Sequence, residues 1–223
     1  MDRGGPDVEG SAACSRLYLE EARNDDELRA QLVETCHLLQ SRFLIRATGG
    51  NVSGRRGPGE PIWMTASGMA LSEVRPDHLL KLSPSGEVLE CPPGHRPSYE
   101  TTTHVAMYEA SDDARCVVHV HPPHATAYAC AELEIPLLTI TAQVLLGRTP
   151  VITLVESGTD SLGQALIQAA REVPDARCFL LKDHGLILRD SSPRAAFHLA
   201  ELVEETAQTA WIRAHIGRHA PGS

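Results

Sequence analysis

The segment Val117-Val-His-Val-His-Pro-Pro-His124 decides the fold class, because it predicts a buried β-strand with a fixed end. Its β-branched residues favour a strand from Cys116 to His121, and the proline pair that follows stops the strand. Side chains alternate between the two faces of a strand, so His119 and His121 point the same way.

Helices and strands alternate on both sides of this segment. Helical spacing of apolar residues predicts helices over 26–40, 99–110, 125–131, 160–171 and 193–216. Short apolar or β-branched runs predict strands over 61–65, on either side of a turn at 83–86, and over 137–141, 151–155, 178–182 and 186–189. The glycine-rich stretch 47–54 is interpreted as a turn region. With no internal repeat or linker, the pattern predicts one α/β domain over 1–223, with about the first 12 residues flexible.

Three helix starts carry recognisable capping residues. Asn24 or Asp25 can cap the first helix, and Thr159 precedes the helix at 160–171. Ser192 and Pro193 open the last helix, and Gly217 lies just beyond its predicted end.

Composition excludes several classes of protein. The chain has 223 residues, 42% of them hydrophobic and 22% charged, which is typical of a globular domain with a sizeable core. The net charge is −9 and there is no basic tract, so a nucleic-acid partner is not expected. No apolar run approaches the roughly 20 residues of a membrane helix, and no signal-peptide pattern begins the chain, so a cytoplasmic location without a membrane partner is expected. The six scattered cysteines are interpreted as buried free thiols.

Two imidazoles on one strand face form half of a transition-metal site. His184, in Lys182-Asp-His-Gly185, can supply the third ligand, because it follows an apolar strand and precedes a glycine that permits a sharp turn. Three neutral imidazoles leave an open position on a divalent ion for substrate oxygens, which is a Lewis-acid site. The alternative is a chance His-x-His pair in a chain with 11 histidines. We interpret His124 as supporting the ligands, and the helical histidines as surface or packing residues: His104, His198 and His215.

Glu100, at the start of a predicted helix, has two interpretations. It can satisfy helix N–H groups, or it can move a proton next to a metal-bound carbonyl. Turns rich in glycine and small hydroxyl residues can cradle an anion, although such turns are also common in hairpins. The candidate anion-binding residues are Gly50, Asn51, Ser53, Thr65, Ser67, Gly68 and Ser98.

Together these motifs resemble the class II aldolase/adducin family, typified by L-fuculose-phosphate aldolase. The matching segments run in family order from about residue 26 to 216: Gly50-Asn-Val-Ser53, Thr65-Ala-Ser-Gly68, Pro97-Ser-Tyr-Glu100 with His104 one turn on, His119-Val-His121 and Lys182-Asp-His-Gly185. The resemblance implies a central mixed, largely antiparallel β-sheet flanked by helices, and a homotetramer with active sites at subunit interfaces.

The resemblance also implies the chemistry. His119, His121 and His184 correspond to ligands of a divalent ion, most often Zn²⁺ with Mn²⁺ or Co²⁺ as alternatives. Glu100 corresponds to the acid/base, which can also ligate the metal when no substrate is bound. The seven candidate anion-binding residues fall where the family holds a substrate phosphate. The implied reaction is cleavage of a small phosphorylated keto-sugar, similar to fuculose 1-phosphate, to dihydroxyacetone phosphate and an aldehyde through a metal-stabilised enediolate.

Two departures from the family pattern bear on the substrate. Tyr99 stands where the motif usually has a second serine, and Ile140 aligns with a tyrosine that donates a proton across the subunit interface; Thr139, Thr141 and Gln143 are nearby polar residues. A decarboxylase, a dehydratase or a pentulose-phosphate 4-epimerase of the same superfamily is therefore the alternative. A non-catalytic adducin-head-like interaction module and a metallohydrolase are weaker alternatives.

Overall fold

The computed structural model describes residues 22–153 and 159–216. The helices in this part of the chain are α1 (Asp25–Ser41), α2 (Thr101–Glu109), α3 (Pro123–Cys130), α4 (Ile140–Leu145), α5 (Asp160–Glu172) and α6 (Pro193–Ile216). The strands are β1 (Asn51–Gly54), β2 (Ile62–Met64), β3 (Leu80–Leu82), β4 (Val88–Glu90), β5 (Cys116–Val120), β6 (Val151–Ile152), β7 (Cys178–Leu181) and β8 (Gly185–Asp190). Two short 3₁₀ turns, Leu71–Glu73 and Pro76–His78, precede β3.

The strands form one eight-stranded sheet in the order β4-β3-β2-β1-β5-β8-β7-β6. Every neighbouring pair is antiparallel except β6 and β7, which are parallel. The prediction of an α/β fold with a mixed, largely antiparallel sheet is therefore confirmed. Strand β5 lies between β1 and β8, so the segment that carries His119 occupies the middle of the sheet.

The two faces of the sheet bury separate apolar cores. Alternation along β5 sends Val118 to the core that α1, α3 and α6 cover, and Val117 to the core that α2 and α5 cover. His119 shares a face with Val117, so its side chain lies on the side of the sheet that carries α2. The sheet thus lies between two layers of helices, and His119 faces the layer that contains α2.

The predicted helix caps are confirmed within the described residues. The Asn24 side chain accepts the backbone N–H of Glu27 at 2.9 Å, which selects Asn24 rather than Asp25 as the cap of α1. Thr159 accepts the N–H of Leu162 at 3.4 Å, and Ser192 accepts that of Ala195 at 3.1 Å. Gly217 lies outside the described residues.

Two predicted elements are wrong. The expected strand over 137–141 is absent, and α4 begins at Ile140, because Thr139 caps this helix by accepting the N–H of Ala142 at 3.1 Å. The turn interpreted over 47–54 ends earlier than expected, since β1 begins at Asn51. Gly54 suits this strand despite its low β-propensity, because a Cβ there would lie 2.9 Å from the Leu32 side chain of α1.

Other predictions are only partly testable on the described chain. The strand expected over 151–155 extends over Val151–Ile152, and residues 154–158 and the first 12 residues lie outside the described part. The five described cysteines are free thiols, as predicted, and Cys36, Cys116 and Cys178 are buried; the prediction of burial is wrong for Cys91 and Cys130, which are exposed. Within the described residues, no helix has the length and apolar character needed to cross a bilayer.

Candidate metal centre and anion site

Three imidazoles meet at one end of the central strands, as the sequence predicts. His119 lies near the end of β5, His121 lies just beyond it, and His184 lies in the turn between β7 and β8. Because β5 and β8 are antiparallel neighbours, the last residues of β5 lie beside the first residues of β8. The ligand nitrogens of the three histidines are all within 4.8 Å of one another.

The orientation of the rings suits a divalent ion. Nδ1 of His119 donates to the carbonyl oxygen of Leu186 at 2.9 Å, so Nε2 of His119 carries a lone pair directed at the other rings. This Nε2 lies 2.9 Å from Nε2 of His121 and 3.2 Å from Nε2 of His184. Nitrogens bound tetrahedrally at about 2.0–2.1 Å from an ion are about 3.3 Å apart, so the residues present fit a zinc-type ion.

The environment keeps His119 and His121 neutral. Burial, with smaller contributions from the neighbouring histidines, lowers the pKa of His119 well below its usual range. Burial and then the proximity of His184 lower the pKa of His121 to about 4. A metal binds the neutral imidazole, so neither ring needs to lose a proton at pH 7 before coordination.

Gly185 makes room for the His121 ring and does not form the turn that the sequence suggested. The left-handed residue of the β7–β8 turn is Asp183, with φ 55°. A Cβ on Gly185 would lie 2.4 Å from Cδ2 of His121 and 2.6 Å from the carbonyl oxygen of Val120. Glycine is therefore required here because β8 and the His121 ring approach each other closely.

Glu100 is buried, and its carboxylate does not cap a helix. It occupies the N-cap position of α2, but its side chain makes no capping hydrogen bond. It is 8% exposed, and Oε2 has no hydrogen-bond partner among the described residues. Its backbone N–H donates to Oγ of Ser98 at 3.2 Å. A buried carboxylate oxygen without a partner is costly, which favours the interpretation of Glu100 as a reactive group over the capping interpretation.

Asn51 and Ser98 are adjacent, near the end of β5 that carries His119. Asn51 pairs with His119 across β1 and β5, so the two side chains lie on one face of the sheet. Nδ2 of Asn51 makes a long, 3.5 Å contact to Oγ of Ser98. Gly50, with φ 73°, leads into β1, and a Cβ there would lie 2.7 Å from the carbonyl oxygen of His119. The glycine thus brings Asn51 close to β5, the strand that carries His119.

The remaining candidate anion-binding residues differ in what their polar groups contact. Oγ1 of Thr65 accepts the N–H of Val52 at 3.1 Å, and the N–H of Ser67 donates to the carbonyl oxygen of Arg96 at 3.0 Å. Gly68 is exposed, with φ 77°, and a Cβ there would meet nothing within 4 Å.

Ser53 belongs to a buried network that sequence reasoning missed. Its Oγ is fully buried and contacts Nδ1 of His104 at 2.7 Å and the hydroxyl of Tyr108 at 2.9 Å. Nε2 of His104 makes a short hydrogen bond to Oδ1 of Asn51. His104 is thus a buried residue with two hydrogen-bond partners, so its role goes beyond the surface or packing role that the sequence predicts. The available signal was the i, i+4 spacing of His104 and Tyr108, which places both on one helix face.

Other predicted positions lie outside the triad. Nδ1 of His124 contacts Oε1 of Glu204 at 2.7 Å and is not among the three grouped ligands. Tyr99 is 75% exposed and Ile140 is 79% exposed. Among the polar residues near Ile140, Thr139 caps α4, and the amide of Gln143 donates to the carbonyl oxygen of Leu137 at 3.0 Å.

Comparison with known proteins is consistent with this site. The family described as the Class II Aldolase and Adducin N-terminal domain matches residues 30–211, so the chain belongs to this family. A 3-oxo-tetronate 4-phosphate decarboxylase of Pectobacterium atrosepticum is 28% identical over 194 residues, covering 85% of this chain and 86% of that protein. An L-ribulose-5-phosphate 4-epimerase of Salmonella paratyphi C is 30% identical over 195 residues, covering 83% and 85%.

A solved structure supports the fold. The L-fuculose-1-phosphate aldolase of Thermus thermophilus superposes with a TM-score of 0.76 at 27% identity, covering 88% of this chain and 98% of that one. Members of this superfamily with these names are enzymes that act on phosphorylated sugars or sugar acids. Membership of the family is therefore established, and these similar relatives are enzymes whose names differ in the reaction.

Proposed function

We propose that this protein is a divalent-metal-dependent carbon–carbon lyase. Its preferred reaction is retro-aldol cleavage of a small phosphorylated keto-sugar, similar to fuculose 1-phosphate, to dihydroxyacetone phosphate and an aldehyde. The observation that carries the proposal is the convergence of three Nε2 atoms, from His119, His121 and His184, beside the face that bears Asn51.

The three histidines would hold the ion, Zn²⁺ by preference and Mn²⁺ or Co²⁺ as alternatives. When bound, the ion supplies Lewis-acid polarisation of the substrate carbonyl. Glu100 would deliver a proton to the ketone-side carbon after the C–C bond breaks, and the hydroxyl group that becomes the aldehyde carbonyl would release one proton in return, so the cleavage takes up no net proton. Its buried, unpartnered Oε2 supports this role, because no other described group competes for it.

Asn51 and Ser98 would bind the substrate phosphate, with Gly50, Thr65, Ser67 and Gly68 shaping the surrounding turns. Ser98 supports this assignment, because its oxygen already accepts two N–H groups, from Asn51 and Glu100. A hydroxyl group has one donor and two acceptor positions, so the O–H of Ser98 is free to donate to an anion. Ser53, which the sequence placed among the phosphate ligands, would instead support Asn51 from the interior.

We further propose a homotetramer with interfacial active sites, located in the cytoplasm. Helix α4 presents large apolar side chains to solvent in the single chain, with Ile140 79%, Val144 72% and Leu145 54% exposed, which supports burial against another subunit. The buried free thiols of Cys36, Cys116 and Cys178 suit a reducing compartment.

The test is product analysis with the metal-loaded protein on a panel of ketose 1-phosphates. Release of dihydroxyacetone phosphate, followed with a coupled reductase, is the expected result. The variant Glu100→Gln should keep its metal and lose about 10²- to 10⁴-fold in turnover. Glu109→Gln, at the exposed far end of α2, is the matched control and should retain the full rate. A Glu100→Gln enzyme with the rate of the unchanged protein would remove Glu100 from the mechanism.

The second candidate is a decarboxylase of a phosphorylated oxo-acid. Two observations favour it: Tyr99 and Ile140 replace a serine and a tyrosine of the aldolase pattern, and a decarboxylase is among the similar relatives. Carbon dioxide released from a 3-oxo-acid phosphate, with no dihydroxyacetone phosphate from any ketose phosphate, would select this reaction. Formation of an epimer or a dehydrated product would select the other superfamily alternatives.

A further inference from the structure

A continuous line of hydrogen bonds runs from the interior of α2 to the candidate anion site. It links the Tyr108 hydroxyl, Oγ of Ser53, both ring nitrogens of His104, the Asn51 amide and Oγ of Ser98. Ser53 is 0%, His104 1%, Tyr108 2% and Asn51 6% exposed, so water has little access to exchange partners with them.

The chemistry of the members fixes the direction in which each donates. Oδ1 of Asn51 can only accept, so Nε2 of His104 carries the ring proton. Burial lowers the pKa of His104 to about 3, so the ring is neutral and Nδ1 is bare. Ser53 must then donate its hydroxyl proton to Nδ1 of His104, and its oxygen accepts the proton of Tyr108.

Hydrogen bonds that run in the opposite direction would leave the Tyr108 hydroxyl proton without an acceptor. If the Asn51 amide were rotated by 180°, His104 would donate to Ser53, and Ser53 would donate to Tyr108. The Tyr108 proton would then need another acceptor, and within the described residues this hydroxyl meets Ser53, which would already be donating to it, and the backbone N–H of Val117, which can only donate. Burial raises the pKa of Tyr108 well above its usual range, so the hydroxyl keeps its proton. A buried O–H group without an acceptor would then destabilise this arrangement.

We propose that His104 is a positioning residue that locks the Asn51 amide with its NH₂ group towards Ser98 and the substrate phosphate. Every member of the line donates towards the site, so an acceptor-only anion meets N–H and O–H donors rather than a carbonyl oxygen. This inference rests on the proposed function, because it assumes that Asn51 holds a phosphate. His104 itself contacts Asn51 and Ser53 and need not touch the substrate.

The first test is spectroscopic and needs no substrate. Long-range ¹H–¹⁵N correlation spectra of the ¹⁵N-labelled protein distinguish a protonated ring nitrogen from a bare one. We expect His104 in the neutral form with the proton on Nε2 at pH 7. A proton on Nδ1, or a charged ring, would overturn the inference whatever the reaction of the enzyme.

The second test measures binding of 2-phosphoglycolate to metal-loaded variants with equal metal content. His104→Leu, of similar volume, should weaken binding at least about tenfold, the loss expected when a hydrogen bond to a charged group is misoriented. His104→Gln places an amide N–H where Nε2 lies and should restore most of the affinity. Unchanged binding in the leucine variant, or an equal loss in both variants, would overturn the positioning role.

A double variant separates this inference from the proposed function. Asn51→Ala should weaken 2-phosphoglycolate binding, and adding His104→Leu to it should cause no further loss, because His104 acts through Asn51. Additive losses would mean that His104 acts by another route and would overturn the inference alone. If Asn51→Ala by itself leaves binding unchanged, Asn51 does not hold the phosphate, and its proposed role fails together with the inference.

Discussion

Replacing Gly185 by alanine should displace His121, a proposed metal ligand, although position 185 itself contributes no ligand. A Cβ there would lie 2.4 Å from Cδ2 of His121. Non-bonded carbons are most stable at about 3.5–4.0 Å, so ring and strand must separate by about 1 Å. Bond lengths to a protein-bound metal vary by only about 0.2 Å, so this movement is several times larger than the site tolerates.

Neither way of relieving the contact preserves the site. If the His121 ring turns away, its Nε2 leaves the 2.9 Å contact with Nε2 of His119. If the start of β8 moves instead, it takes along His184, the residue before Gly185. Since loss of a mere supporting contact already costs about 10- to 100-fold in metal affinity, displacing a ligand should cost at least about 100-fold.

The assay is competition for Zn²⁺ with a chromophoric chelator, together with metal analysis after dialysis and circular dichroism to confirm the fold. Gly57→Ala is the matched control, because a Cβ there meets only Cγ of Glu60 at 3.7 Å. A folded Gly185→Ala protein with the Zn²⁺ affinity of the unchanged chain would refute the argument that this glycine exists to accommodate His121.

Three further predictions concern stability and the metal. In the metal-free protein, burial lowers the pKa values of His104 and His121 to about 3 and about 4, from 6.5 in an unperturbed histidine. Below about pH 6.5 the unfolded chain therefore binds more protons than the folded chain. The free energy of unfolding should fall there by about 1 kcal/mol for each of the two rings per unit decrease in pH. Urea denaturation between pH 4.5 and 7 measures this slope, and His104→Gln should reduce it; stability that rises on acidification would contradict the assignment. Ser192→Ala removes the cap of α6 and should cost about 1 kcal/mol, roughly 2–4 °C in Tm by calorimetry, whereas the exposed Ser191→Ala should change little. Removing the metal with dipicolinate should abolish activity and lower Tm, and added Zn²⁺ should reverse both; full activity in demonstrably metal-free protein would end the metal-dependent proposal.

Local sequence predicts the elements wherever local energetics decide the structure. The caps at Asn24, Thr159 and Ser192 were predictable because each hydroxyl or amide oxygen satisfies N–H groups a few residues along the chain. The same local reasoning fails at residues 137–141, where the predicted strand is absent and the exposed helix α4 begins at Ile140. Thr139 caps this helix by accepting the N–H of Ala142, so a local hydrogen bond outweighs the strand preference of the apolar residues.

By itself, the sequence determined that His119 and His121 share a face of one strand, because the two-residue period of a strand is a property of the backbone. It also predicted His184 as the third ligand, because His184 follows an apolar strand and precedes a glycine. Only the tertiary structure decided that Gly185 serves the His121 ring and that His104 serves Asn51. These roles depend on contacts between residues 53 or more positions apart, set by how α2 and β8 pack against β1 and β5, and chain spacing carries no information about such packing.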